Sequence, residues 1–275
     1  MNIRAGHLEA VERVGTDSRN SDVRARQDSC VDRKRHLMIA NARLRRTICT
    51  LAAGVGVAAA AYGAYAAHTW RRYGRPPEPK PDERDELLDR FIPRYDVVER
   101  HHVAVAAPPA ITLGAAKEQD LLQSPLVRAI FKARETVLGA TPDDRERPRG
   151  LLAAVQSLGW GVLADEPGRE IVMGAVTEPW EANVTFHALP PAGFASFSQP
   201  GFVKIAWTLR ADAREDGTSV FRTETRAVAT DAAARARFRR YWAFFSPGIT
   251  VIRRLSLGPL KREAERRTEV CHAGR

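Results

Sequence analysis

The chain has 275 residues, 44% hydrophobic and 28% charged, with 20 aromatic side chains. This composition excludes a wholly disordered chain, a collagen-like repeat and a polytopic membrane protein. Its three cysteines, Cys30, Cys49 and Cys271, exclude a disulfide scaffold. The net charge of +10 is unevenly placed. Residues 1–80 carry 15 Lys/Arg against 7 Asp/Glu, residues 81–235 carry 18 against 23, and residues 236–275 carry 10 against 3. The folded middle is mildly acidic and both ends are basic. A nucleic-acid-binding domain concentrates positive charge on its folded face, so no nucleic-acid partner is expected.

Residues 1–46 are rich in Arg, Asp, Ser and Asn and lack an apolar period, which predicts a disordered basic tail. Met38 offers a second plausible start, with Met1 the other. Residues 47–70 form a run of 24 without Asp, Glu, Lys or Arg. At ~1.5 Å per residue a helix over this run spans a hydrocarbon core of ~30 Å. Arg45 and Arg46 precede it, Arg71 and Arg72 follow it, and Trp70 and Tyr73 stand where an interfacial aromatic belt would lie. The expectation is one uncleaved transmembrane helix and a single-pass membrane location. A removable signal peptide ending near Ala64-Tyr65-Ala66 is the alternative. Six basic residues lie close on either side of the run, so the side of the membrane is undetermined. Residues 71–81 hold Pro76, Pro77, Pro79 and Pro81 and read as a Pro-rich, semi-rigid linker.

Residues 82–267 read as one globular domain, with residues 268–275 a tail. Asp85 to Phe91 predicts a short helix, and residues 96–105 predict a strand in which His101, Val103 and Val105 share a face. Residues 110–119 look helical. Ser124-Pro125 is an N-cap with Pro at the first helical position, followed by Leu126, Ile130, Phe131 and Val137 at helical spacing. Residues 142–150 form a charged loop, and residues 151–159 a short apolar element. The pattern then becomes β-rich at residues 161–164, 170–177, 202–210 and 219–229, with a further strand at 184–189 or 195–198. Turns are expected at Pro167-Gly168, at Pro190 to Gly193 and at Arg214 to Gly217. Thr230-Asp231 caps a long C-terminal helix whose apolar face holds Phe238, Trp242 and Phe245, then Ile249, Ile252 and Leu255. Pro247 and Gly248 should kink or split it. The sheet is expected to have one apolar face, covered by that helix.

Residues 202–207 (Phe-Val-Lys-Ile-Ala-Trp), Thr223 to Arg226, Ala229 to Arg235, Arg239 to Trp242 and Ser246-Pro247-Gly248 carry a resemblance. From about residue 96 to 267 the chain resembles the helix-grip superfamily of START lipid-transfer domains, polyketide cyclases and birch-pollen-allergen-type proteins, called SRPBCC. The implied fold is α+β: a curved antiparallel sheet wrapped on a long C-terminal helix, here preceded by one transmembrane helix. The implied site is a cavity between sheet and helix for an apolar or lipid-like small molecule.

The candidate ligand-binding residues are His101, Trp180, Phe202, Trp207, Glu224, Arg226 and Trp242. His101 and His102 point to opposite faces of a strand and cannot chelate one ion together. Glu178 and Glu181 flank Trp180 in an expected loop beside Pro179 and read as a solvated turn before an acid pair. Glu224 and Arg226 share a face and read as an ion pair before a ligand clamp. No phosphate-binding GxxxxGK[ST], strand-linked GxGxxG, GxSxG or HExxH occurs, so no cofactor, metal or catalytic residue is assigned. The expected function is a membrane-anchored binding or carrier domain for a hydrophobic molecule. A cyclase- or hydratase-like enzyme using His101, His102 or Glu224 is the alternative, and a scaffold without ligand is another.

Overall fold

The computed structural model describes residues 45, 46, 48–141 and 148–273. The described residues fall into two units, divided between Tyr62 and Gly63. Residues 1–44 of the expected disordered tail and residues 142–147 of the charged loop lie outside the described residues. Helix α1, Ile48–Arg72, has a mean hydropathy of 1.5 in its apolar window, none of which is buried.

The elements of the larger unit in chain order are α2 (Glu86–Asp89), β1 (Val97–Val105), α3 (Pro109–Glu118), α4 (Pro125–Leu138), α5 (Leu151–Ser157), β2 (Gly161–Glu166), β3 (Glu170–Thr177), β4 (Phe186–His187), α6 (Pro191–Ser196), β5 (Val203–Ala213), β6 (Ser219–Ala229) and α7 (Ala232–Ala273). The strands form one six-stranded antiparallel sheet of order β1-β6-β5-β3-β2, with β4 also on β3. The Ser124 hydroxyl caps α4 by accepting from Val127 N–H, and Gly139 ends it at φ 70°, a left-handed geometry that glycine adopts without strain. The Asp231 carboxylate caps α7, accepting from Ala233 and Ala234 N–H at 2.7 and 3.0 Å. Arg214 to Gly217 closes the β5–β6 hairpin, in which Val203 pairs with Ala229 and Ala213 with Ser219.

This is the α+β helix-grip arrangement. Strand alternation places Phe221, Ala227, Val203, Trp207, Leu209, Ile171 and Met173 on the face toward α7, which buries Phe238, Trp242, Leu260 and Ala264 along one stripe. Phe245 is only partly buried.

Several expectations need correction. The sheet is covered on both faces, and every residue of β3 is buried. Residues 85–95 and α6 cover the second face. There Leu87, Leu88, Phe91, Ile92 and Phe194 pack on Val172, Val176 and Ala206. Helix α7 is not split: it runs unbroken through Pro247 and Pro259 and on to Ala273, through most of the expected tail. Each proline removes one backbone hydrogen bond, and side-chain packing on the sheet holds the helix together across the gaps. The turn expected at Pro190–Gly193 is instead the first turn of α6, because Pro191 has the φ a helix start requires and lacks only an N–H that would be unpaired there. Within the Pro-rich linker, Gly74 and Pro77 are tied to the larger unit. Gly74 N–H donates to Asp96 O at 2.8 Å, and Arg100 donates to Pro77 O at 3.0 Å.

Candidate functional site

The core between sheet and α7 is two clusters, not one. One holds Val105, Leu113, Met173, Trp207, Leu209, Phe221 and Leu260. The other holds Val97, Val203, Ala227, Phe238 and Trp242. Between them runs a polar band. On β1 it is Glu99 and His101, and on β6 their cross-strand partners Thr225 and Thr223. From α7 comes Arg253. The order follows from strand alternation: Val97, Glu99, His101, Val103 and Val105 all face α7, and the two middle polar members lie between apolar ends.

The Arg253 guanidinium donates to Thr223 Oγ1 at 2.7 Å and to Thr225 Oγ1 at 2.5 Å, and stands 5.6 Å from the centre of the Trp207 ring. No carboxylate lies within ion-pair distance of it among the described residues. Burial pulls its pKa down to about 10, while the charge on Glu99 acts in the opposite direction. The His101 side chain is 9% exposed, and its Nε2 is 3.3 Å from Glu99 Oε2. The angle there is wrong for a hydrogen bond, so His101 Nε2 is buried without a partner, as is Ser246 Oγ on the inward side of α7. An unpaired buried polar group costs ~1–3 kcal/mol. Here one such atom, His101 Nε2, lies in the same band as a guanidinium held only by neutral hydroxyls.

Of the residues singled out from sequence, the structure brings His101 and Trp207 together at this band. Trp242 lies in the neighbouring apolar cluster, with Trp180 packed against it. Trp180 Nε1 is buried without a partner, and Arg237 lies 5.8 Å from its ring centre. Phe202 sits just before β5, edge-on to Phe197 and His187. Glu224 and Arg226 lie on the opposite face of the sheet. Arg226, 1% exposed, donates to Glu224 Oε1 at 2.7 Å, Asp89 Oδ1 at 2.5 Å and Ile92 O at 2.9 Å, while Arg100 grips Glu224 at 3.0 and 3.1 Å. This network fastens residues 89–95 to the sheet. His102 is exposed.

Sequence reasoning missed Arg253, Glu99, Thr223 and Thr225. A signal for Arg253 existed: it follows Trp242 by about three helical turns and so falls on the same buried stripe.

A separate cavity of about 300 Å³ opens on the segment after β3. It is lined by Glu178, Glu181, Ala182, Asn183, Thr185 and His187. It is a polar surface recess, distinct from the sheet–helix layer, and its Asn183 carboxamide oxygen accepts from Thr141 N–H and Oγ1 at 3.0 Å. No group of three or more His, Cys, Asp or Glu side chains is placed to hold a metal among the described residues.

No family model and no curated protein matches the chain. Solved structures do. CalU16 from Micromonospora echinospora is 13% identical, covering 63% of this chain and 85% of its own, at a TM-score of 0.22. Ara h 8.0201 is 12% identical, covering 56% and 96%, at a TM-score of 0.17. The Zhui aromatase/cyclase from Streptomyces sp. R1128 is 14% identical, covering 62% and 94%, at a TM-score of 0.19. All three are helix-grip folds of the SRPBCC type.

Proposed function

We propose that the chain is a membrane-anchored domain that binds an apolar, lipid-like small molecule between its sheet and α7. The polar end of that molecule meets Arg253, His101 and Glu99. One observation carries the reading: a part-buried guanidinium with no carboxylate at contact distance among the described residues, beside a buried imidazole nitrogen without a hydrogen-bond partner, between two apolar clusters. A ligand's oxygen atoms would satisfy these groups, and its apolar body would lie against Trp207 and the side chains flanking it. Burial of that body gives ~25 cal/mol per Å², less the freedom lost on binding.

Entry is served by α7 itself. Pro247-Gly248 and Gly258-Pro259 bracket residues 249–257, the stretch that carries Arg253. Each proline lacks the N–H that would close the helix across it, so this stretch can part from the sheet while both ends of α7 stay packed. The anchor is α1, which at 25 residues is long enough to cross a bilayer.

A second reading has one specific observation in its favour. Glu99 beside the His101 imidazole, with a guanidinium at hand, is an arrangement that can move a proton and steady an oxyanion, as a cyclase- or hydratase-like enzyme requires.

The binding reading is tested with a photoactivatable long-chain fatty acid added to the full chain in lipid nanodiscs. Cross-linked peptides are then located by mass spectrometry. Adducts on β5, β6 and residues 249–257 support it, and adducts confined to α1 contradict it. A measured turnover that His101→Ala abolishes, with the circular dichroism unchanged, selects the enzyme reading instead.

A further inference from the structure

From Ala232 to Arg262 the chain has no Asp or Glu, but eight Lys or Arg: Arg235, Arg237, Arg239, Arg240, Arg253, Arg254, Lys261 and Arg262. Only Arg253 serves the ligand site. Turned away from the sheet, α7 carries an apolar stripe at helical spacing, with Phe244 50%, Val251 38% and Leu255 39% exposed. Arg240, Arg254 and Arg262 border this stripe, are exposed, and form no ion pair among the described residues. The acids nearest in sequence are engaged elsewhere, Glu263 with Arg266 and Arg267, and Glu265 with Lys261. Exposed large apolar side chains ringed by unpaired arginines form the face of a helix that lies in a lipid interface.

A second observation ties this face to the C-terminal end of the apolar helix, at Tyr65 and Trp70. The Tyr65 hydroxyl of α1 is 3.3 Å from Thr250 Oγ1, one residue from Val251. Arg239 donates to Trp70 O at 2.9 and 3.1 Å, and its guanidinium stacks 4.2 Å over the Trp70 ring. The stripe thus begins where the end of the apolar helix is bound.

We propose that the outward face of α7, from Arg240 to Arg262, docks on the surface of an anionic lipid bilayer. This rests on the reading of α1 as a membrane anchor. The apolar side chains enter the headgroup boundary and the three arginines meet lipid phosphates. Because residues 249–257 belong to the same stretch of α7, docking sets the ligand layer directly above the bilayer from which an apolar ligand would come.

The test uses the full chain with its native cysteines replaced by serine, labelled with the fluorophore NBD at Val251→Cys. The control label is at Arg90→Cys, an exposed position on the far side of the sheet. Each is reconstituted in nanodiscs of phosphatidylcholine alone or with phosphatidylglycerol added. In the anionic discs the Val251 label should be blue-shifted, and dithionite should reduce it several-fold more slowly than the Arg90 label. The variant Arg240→Gln, Arg254→Gln, Arg262→Gln should lose docking by about fivefold per charge, ~100-fold in all. These exposed positions leave the core intact, which near-ultraviolet circular dichroism checks. Equal reduction of the two labels in anionic discs, with the chain incorporated, overturns the docking alone. Equal protection in neutral discs, unaffected by the triple variant, overturns the anionic surface as the partner. A chain that fails to incorporate overturns both the anchor and the docking.

Discussion

Replacing Arg253 and Arg226 in turn by methionine separates a guanidinium held for a ligand from one that holds the fold. Arg226 has four partners: Glu224, Asp89, Ile92 O and the Tyr95 ring at 4.8 Å. Breaking a buried pair from one side costs ~3–5 kcal/mol. Glu224 keeps both bonds from Arg100, so Arg226→Met should sit at the low end, ~3 kcal/mol. Arg253 differs. Burial lowers its pKa to about 10, well below the ordinary guanidinium value, so holding it charged costs ~3 kcal/mol at 1.36 kcal/mol per unit. Against that stand two hydrogen bonds to threonines, at ~1.5 kcal/mol each for a charged donor. Arg253→Met should therefore change stability by less than about 1 kcal/mol. At ~2–4 °C per kcal/mol for a unit of this size, Arg226→Met lowers Tm by ~6–12 °C, and Arg253→Met moves it by less than ~4 °C. Tryptophan fluorescence of the two full-length variants, melted in the same detergent, reads both. Equal losses would mean that Arg253 is a structural tie between sheet and helix, and the ligand site would lose its main support.

Other consequences are measurable in the same preparations. Trp242→Ala should cost ~3–5 kcal/mol by denaturant unfolding, because the indole is 7% exposed against Phe238 and Val97, and a loss below ~1 kcal/mol would remove α7 from the core. Glu170, 1% exposed, has its pKa raised to about 8 by burial and then by the Asp85 carboxylate, against the pull of Arg210 and Arg169. Its protonated form favours the folded state, so this contribution is complete below the ordinary carboxylate range and is lost as pH rises through about 8. Glu170→Gln should flatten that decline, and an unchanged pH–stability curve would contradict it. Trp207→Ala should alter fatty-acid affinity more than His101→Ala, with His102→Ala nearly silent because His102 is exposed. The full chain should resist alkaline carbonate extraction from membranes, and its release would exclude α1 as an anchor.

Local signals made much of this fold legible. The hairpin turn at Arg214–Gly217, the Ser124-Pro125 and Asp231 caps and the alternation of β1 each act over a few residues, and each formed as its chemistry requires. The cover of the second face was not legible. Its sign was β3 itself, a continuous apolar run where a one-faced sheet would alternate, but residues 85–95 that cover it are bound by partners far away in sequence. The continuity of α7 through Pro247 and Pro259 is likewise set by packing on the sheet, which no window along the chain contains. At the candidate site, the shared face of His101, Val103 and Val105 on β1 was legible from strand alternation. Glu224 and Arg226 share a strand with Thr223 and Thr225, yet only the direction of the register tells which pair faces α7.

The claim of a lipid-like ligand between sheet and α7 is tested most directly by native mass spectrometry of the full chain, released from nanodiscs without added ligand. The wild type should carry a co-purified apolar molecule that denaturation sets free and organic extraction recovers. Arg253→Met, folded to the same Tm within ~4 °C, should carry none. A wild type of bare polypeptide mass that also yields no fatty-acid adducts on β5, β6 or residues 249–257 would contradict the account.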